Sequence, residues 1–351
     1  LVNYTLGVIE TLGLTGALSF AMVSTPAADL GNTALFPALC TGGCLHLISR
    51  DRAADSAAMA AYFEEHAVDF LKIVPSHLSA LLAGEEARKI LPRRCLVLGG
   101  EASSWSLIDR VRSLSPGCAV FNHYGPTETT VGVLTHAVTN GAPPQRAKCI
   151  PLGHPLPNTK VYILDKFFHL TPMGVIGELY IAGEGLARGY HARAASTAEK
   201  FIPDPFSDKA GGRLYRTGDL ARYFGNGEIE FLGRADNQVK VRGYRIELGE
   251  IETALRGHPL VHDSTVLVCE EIPDEVSLAA YVVPKPGSGI ARDELRQFLT
   301  DKLPQHMLPR SITILDKIPL TPNGKLDRLA LPTPGRESQV TLEVFKAAST
   351  P

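Results

Sequence analysis

Long apolar runs are missing from this sequence. The opening LVNYTLGVIETLGLTGALSFAMV is apolar in character but is interrupted by Asn3, Glu10 and several glycines and threonines, with no basic flank and no cleavage pattern. Neither a membrane span nor a signal peptide is expected. An excess of either charge is missing too, since 35 basic residues mix with 37 acidic ones for a net charge of −2. Without a basic stripe a nucleic-acid partner is not expected, and without a charge block neither is a disordered tail. Cysteine is sparse, and Cys40, Cys44, Cys95, Cys118, Cys149 and Cys269 lack the paired spacing of a metal site. Several lie in apolar runs such as RRCLVLGG, where a cysteine is a small buried hydrophobe. That usage suits a reducing compartment, so a cytoplasmic location is expected. Internal repeats and a carrier-domain serine motif are absent as well.

What is present is a chain of 351 residues, 44% apolar and 21% charged, long enough for more than one core. From residue 34 to about 135 helical and strand patterns alternate: AADSAAMAAYFEEHA, VDFLKIV, SHLSALLAG, RCLVLGG and SSWSLIDRVRSL. Short connections between them imply parallel βαβ units. From about 150 to 232 the pattern changes to strands and turns, and Asn226-Gly227 in YFGNGEIEF marks a hairpin. After GRADNQ the mixture becomes α+β, with VKVRGYRI as a strand pair and ELGEIETALRG and ARDELRQFLTDKL as helices. The expected fold is therefore α/β: a large N-terminal subdomain of parallel βαβ units plus a small β-rich part, then a smaller α+β subdomain. The boundaries are drawn at 1–235 and 236–332, and 333–351 (beginning TPGRESQ) reads as linker. The first residues, LVNYTLGVIETL, read as a helix already under way, so an N-terminally incomplete domain is expected.

In FNHYGPTETT, residues 121–130, an apolar strand ends at a Gly125-Pro126 break followed by three hydroxyls and a carboxylate. Open α/β sheets bind ligands at such carboxyl ends, although a capping turn with a surface histidine has the same composition. Further polar, glycine-bearing stretches recur at strand ends: LGGEAS, GELYIAGEGLARGY, YRTGDL, GRADNQVKVRGYRIELGEIE and TPNGKLDR. One such stretch is weak, but six in this order are specific. Together they resemble the adenylate-forming enzymes, and most closely the adenylation domains of nonribosomal peptide synthetases, over residues 1 to about 332.

The resemblance implies ATP-dependent activation of an amino acid as its adenylate, then transfer to the phosphopantetheine thiol of a peptidyl carrier domain, beside a condensation domain of the same assembly line. Lys325 matches the lysine that bridges the substrate carboxylate and the α-phosphate. Thr127 matches a phosphate-contacting hydroxyl and Glu128 the Mg²⁺ ligand, both hard oxygen donors. Gly100 and Glu101 belong to the turn lining the adenine pocket. Tyr124 offers a ring face for the base with Gly125 beside it, and Phe231 is a second aromatic wall. Asp219 matches the carboxylate that accepts the ribose hydroxyls, and Arg234 a ribose and phosphate contact. Asp236 matches the hinge, and Gly243 the loop that replaces the Lys325 loop for thioester formation. One departure stands out. The family's phosphate-gripping loop does not occur here, and by alignment it would lie just before residue 1.

The same resemblance places the amino-acid pocket at Asp29, Leu30, Thr33, Lys72, Val97, Gly99, His123, Val131 and Gly132, with Asp29 taking the α-ammonium. Lys72 is informative without it, because it interrupts FLKIV, a strand expected to be covered on both faces. It either meets an anion there or snorkels from a strand end. With His123 beside it the pocket offers two donors to a small carboxylate. The set looks like the aspartate-selecting pocket of the family; the asparagine-selecting one tends to carry an acceptor at the place of His123. Two rival readings remain. An acyl-CoA synthetase would lack Asp29 and carry a longer apolar slot, and a degenerate module would bind adenylate without catalysis.

Overall fold

The computed structural model describes residues 1–138, 149–236, 238–241, 243–272, 275–319 and 326–333. Lys325 and the 333–351 linker beyond residue 333 lie outside them. The chain divides into two units, Leu1–Asp236 and Asn237–Pro351. Among the described residues, no helix is long and apolar enough to cross a membrane.

The first unit opens with α1 (Val2–Thr11), β1 (Ser19–Met22), α2 (Asn32–Cys40) and β2 (Cys44–Leu47). There follow α3 (Arg50–Ala54), α4 (Ser56–Glu65), β3 (Phe70–Ile73), α5 (Pro75–Leu82), β4 (Cys95–Gly99), α6 (Trp105–Leu114), β5 (Ala119–Tyr124), β6 (Leu134–Ala137) and β7 (His154–Pro155). Local chemistry starts the helices where the sequence suggests. Asp55 accepts from the amides of Ala57 and Ala58 at 2.8 and 3.2 Å, Ser104 caps α6 through Leu107 N, and Pro75 occupies the first turn of α5.

These strands form one sheet in the order β2-β1-β3-β4-β5-β6-β7. Pairing is parallel from β2 through β5 and antiparallel beyond. The strand β1 went unread in the sequence pattern, yet the chain order reverses between it and β3. In open α/β sheets ligands bind at the carboxyl ends beside such a reversal. Alternation along the buried strands sorts their side chains between two cores. Ala21, Leu71, Ile73, Leu96 and Leu98 pack with Met59, Leu78 and Ile108 from α4, α5 and α6. Phe20, Met22, Phe70 and Val97 pack with Tyr4, Val8 and Ala34 from α1 and α2. Lys72, between Leu71 and Ile73, therefore takes the α1–α2 face.

The rest of the unit is the β-rich part: β8 (Thr159–Leu164), β9 (Gly177–Gly183), α7 (Ala194–Lys200), β10 (Phe201–Pro203), β11 (Arg213–Tyr223) and β12 (Ile229–Arg234). Its sheet runs β10-β11-β9-β8, with β12 paired to β11. Phe224 N donates to Glu228 O at 2.8 Å across the expected hairpin tip, where Gly227 takes φ 84°. The second unit holds the hairpin β13 (Gln238–Val241) and β14 (Tyr244–Glu247), then α8 (Leu248–Arg256), β15 (Val261–Ile272), β16 (Glu275–Pro284), α9 (Arg292–Thr300) and β17 (Ser311–Ile314). Strands β15, β16 and β17 form a sheet; β17, parallel to β16, is a strand the sequence pattern did not reveal.

Candidate functional site

Four side chains from four elements close a ring on the α1–α2 face. Lys72 on β3 is 4% exposed, and its Nζ donates to Thr33 Oγ1 on α2 at 2.7 Å and to His123 Nδ1 on β5 at 3.3 Å. Thr33 Oγ1 lies 2.5 Å from the Tyr4 hydroxyl on α1. The Tyr4 ring lies flat against His123, with centroids 5.7 Å apart and planes 7° from parallel. The snorkelling alternative for Lys72 is thereby excluded. Burial draws its ammonium down to about 7, with Asp29 pulling the other way. Burial first, and Lys72 second, hold His123 well below the usual imidazole range, so its ring is neutral. While Lys72 is charged its ammonium can only donate, which assigns His123 Nδ1 as the acceptor and the ring hydrogen to Nε2.

Glycines make the space around this ring. Gly99 pairs in register with His123, and a Cβ on it would lie 2.6 Å from the His123 carbonyl oxygen and 3.4 Å from Lys72 Cε. A Cβ on Gly132 would stand 2.0 Å from His123 Nε2. Val97 is paired to Lys72, and Val131 joins Val97 in the same core. Thr130 and Val131 are consecutive non-glycine residues at φ 66° and 67°, backbone strain of a kind that clusters at ligand sites. Asp29 and Leu30 lie in the short 3₁₀ turn Asp29–Gly31 that follows β1, and both are half-buried. Two atoms here are buried without a hydrogen-bond partner among the described residues, the donor His123 Nε2 and the acceptor Asp29 Oδ2. Each is costly to leave unpaired.

A second group joins the end of β5 to the middle of β11 and the end of β12. The buried Tyr124 hydroxyl donates to Asp219 Oδ2, while Asp219 Oδ1 accepts from Arg234 Nη1 at 2.5 Å. Burial and Asp219 together raise the Tyr124 phenol, which stays a donor. Arg234 also grips Asp236 with Nε at 2.7 Å and Nη2 at 2.8 Å. A side chain on Gly218 would strike both, with Arg234 Nη2 and Asp236 Oδ2 each 2.7 Å from its Cβ. Both Asp219 oxygens thus have protein partners and a further lone pair each. Phe231 packs against the cluster that contains Tyr124. Gly100 takes φ 89° after β4, and Glu101 Oε2 accepts from Ser76 N at 3.0 Å, capping α5.

The loop after β5 is held by a neighbour the sequence reading did not single out. Tyr190 donates to Glu128 Oε1 at 2.6 Å, Ala187 N donates to Glu128 O at 2.8 Å, and Thr130 Oγ1 donates to Gly185 O at 2.7 Å. Gly125 lets Gly132 approach so closely that a Cβ would lie 2.4 Å from its Cα. Thr127 is exposed. Among the described residues no cluster of three or more His, Cys, Asp or Glu is placed to hold a metal. One carboxylate beside an exposed hydroxyl is a donor set that would suit a Mg²⁺ completed by phosphate oxygens, since Mg²⁺ takes one or two carboxylates plus substrate phosphates. Nothing in the sequence marked Tyr4 or Tyr190, because an aromatic at helical or turn spacing reads as core. In the second unit, Gly243 takes φ 78° between β13 and β14.

A family model described as AMP-binding enzyme matches residues 1–191, and one described as AMP-binding enzyme C-terminal domain matches residues 250–325. The chain is 43% identical over 90% of its length to one of the linear gramicidin synthase proteins of Brevibacillus parabrevis, of which it spans 4%. It is 39% identical over 97% of its length to a dimodular nonribosomal peptide synthase of Bacillus subtilis, of which it spans 14%. Among solved structures it resembles holo-PA1221, a nonribosomal peptide synthetase protein containing adenylation and carrier (PCP) domains. There the TM-score is 0.78 at 29% identity, covering 90% of this chain and 53% of that one. The holo four-domain synthetase AB3403, bound to AMP and glycine, gives a TM-score of 0.61 at 34% identity, covering 99% of this chain and 25% of that one. With polar turns gathered at the strand ends of a sheet shared with these structures, the chain belongs to the AMP-binding enzyme family, as an adenylate-forming ligase domain related to those of nonribosomal peptide synthetases.

Proposed function

We propose that this domain activates L-aspartate. An α-carboxylate oxygen attacks the α-phosphorus of ATP, the bond to the β-phosphate breaks, and pyrophosphate leaves. A phosphopantetheine sulfur on a carrier domain then attacks the acyl carbon and displaces AMP. The observation that carries the substrate is the pair of unpartnered buried atoms flanking Lys72. Asp29 Oδ2 calls for a cation and His123 Nε2–H for an acceptor, and Lys72 adds a second donor with charge. An amino acid with a short acidic side chain satisfies all three, its ammonium on Asp29 and its β-carboxylate across Lys72 and His123. The amide nitrogen of asparagine would instead set donor against donor at His123.

The other residues are assigned the roles that the family resemblance implies. Tyr124, Phe231, Gly100, Glu101 and Gly125 form the base pocket, and Asp219 and Arg234 receive the ribose. Glu128 and Thr127 supply the oxygen donors that would hold a Mg²⁺, which when bound would offset negative phosphate charge. Lys325 joins the two reacting anions and lowers their repulsion. Asp236 is the hinge, Gly243 belongs to the thioester-forming loop, and residues 333–351 lead to the carrier domain, with a condensation domain as neighbour. The setting is the cytoplasm, where ATP and reduced thiols are at hand.

Pyrophosphate exchange across all proteinogenic amino acids tests the substrate. Aspartate is the expected preference, and a preference for an aromatic or aliphatic residue overturns it. His123→Glu replaces the donor with a negative acceptor, so aspartate kcat/KM falls roughly ten- to hundredfold and the preference moves toward asparagine. An unchanged ratio of the two removes His123 from the pocket.

A further inference from the structure

We infer that Tyr4, on the first helix and outside every motif that identifies the family, is a positioning residue that sets the preference for a carboxylate side chain. The inference rests on the aspartate reading above and deepens it. Lys72 carries three N–H donors, and two of them are spoken for, by Thr33 Oγ1 at 2.7 Å and His123 Nδ1 at 3.3 Å. What remains for a ligand is one ammonium N–H together with His123 Nε2–H. Two donors side by side, with one positive charge between them, match the two oxygens of one carboxylate.

That arrangement holds only if Thr33 and His123 stay where they are, and Tyr4 touches both. Its hydroxyl is 2.5 Å from Thr33 Oγ1 and its ring stacks on the imidazole. All three neighbours are sealed in, Thr33 at 0%, Tyr4 at 2% and His123 at 3% exposure, so water does not substitute for a lost partner. Hydroxyl and ring do separate work. The hydroxyl fixes Thr33 and, through it, the place of the ammonium. The ring fixes the plane of His123 and hence the direction of Nε2–H. Asp29, proposed to take the α-ammonium, bears electrostatically on both Tyr4 and Lys72.

Kinetics on the full natural protein test this with wild type, Tyr4→Phe and Tyr4→Leu, using aspartate and asparagine in pyrophosphate exchange. Tyr4→Phe keeps the ring and loses the hydroxyl. KM for aspartate is expected to rise roughly three- to tenfold with kcat unchanged, the worth of one neutral hydrogen bond. The aspartate-to-asparagine ratio of kcat/KM falls by the same factor. Tyr4→Leu removes the stack too and lowers the ratio further. A residue that merely packs the core would weaken both substrates alike, so an unmoved ratio in a folded Tyr4→Phe overturns the inference while leaving the aspartate reading intact. A wild type that does not activate aspartate overturns both.

Discussion

Burial draws the Lys72 ammonium from 10.5 down to about 7, and the groups around it make both stability and binding depend on pH. Thr33 and His123 are neutral partners, Tyr4 stays a phenol, and Asp29 supplies the nearby negative charge. Below pH 7 the lysine is charged in folded and unfolded chains alike, and the cost of burying it is present in full. As pH rises from about 7 toward 10.5, the folded chain releases the proton while the unfolded chain keeps it. Stability from this group therefore increases with pH, by up to about 1.4 kcal/mol per unit. Lys72→Met should stabilise the fold most near pH 7 and progressively less by pH 9, as read from urea midpoints at each pH. Aspartate reverses the balance, because its β-carboxylate restores the charge. Above about pH 7 binding takes up a proton, and KM for aspartate should climb toward tenfold per pH unit. A KM flat between pH 7 and 9 would mean that Lys72 never meets the carboxylate.

The connection from β5 to β6 shows how an element, rather than a residue, makes room for a ligand. Gly125 allows the strand end to touch Gly132, and Gly132 in turn clears His123 Nε2. Glycine at 132 is required by contact and not by conformation, since neither its φ nor that of Gly125 lies in the left-handed region. Gly132→Ala should displace the imidazole and reduce aspartate kcat/KM by at least about tenfold, the worth of a hydrogen bond to a charged group. Gly227 at the tip between β11 and β12 makes the converse comparison, with φ 84° and open space where a Cβ would go. Gly227→Ala should cost about 1 kcal/mol of stability through backbone strain and leave aspartate kinetics alone. Thermal midpoints and kinetics of the two variants check both halves. If Gly132→Ala kept wild-type kinetics, the close contact at Nε2 would not matter to binding.

At the scale of the whole molecule, the two units are built on separate cores. Among the described residues of the second unit, Val241, Ile246, Ile251, Leu255, Val282, Leu295 and Ile312 form an apolar cluster, and the first unit has clusters of its own. A domain with its own core can fold alone. Residues 237–333 expressed separately should unfold cooperatively, with a denaturant slope proportional to their size; a chain without a transition would show that its core needs the first unit. Lys325→Ala should abolish adenylate formation and leave both cores intact, so that circular dichroism is unchanged while pyrophosphate exchange is lost. Near wild-type exchange would take Lys325 out of the chemistry.

The alternation of helices and strands from residue 34 to about 135, the polar turns at the strand ends and the family were legible in the sequence by itself. Period-two and helical alternation record which face a residue takes, and Gly, Pro, Asn and Asp mark where an element stops. Lys72 was legible as an anomaly for the same reason, a charge inside an apolar strand. Short elements left less trace: β17, four residues long, is found only through its parallel pairing to β16. The partners of each polar side chain were decided by tertiary structure alone. Tyr4 reads as one more apolar helical position until α1 packs on the face that Lys72 and His123 share. Tyr190 reads as a turn residue until its loop reaches Glu128. Periodicity is a local property of the chain, whereas a hydrogen bond between distant strands and helices depends on which of them pack together, and that is settled only when the cores close.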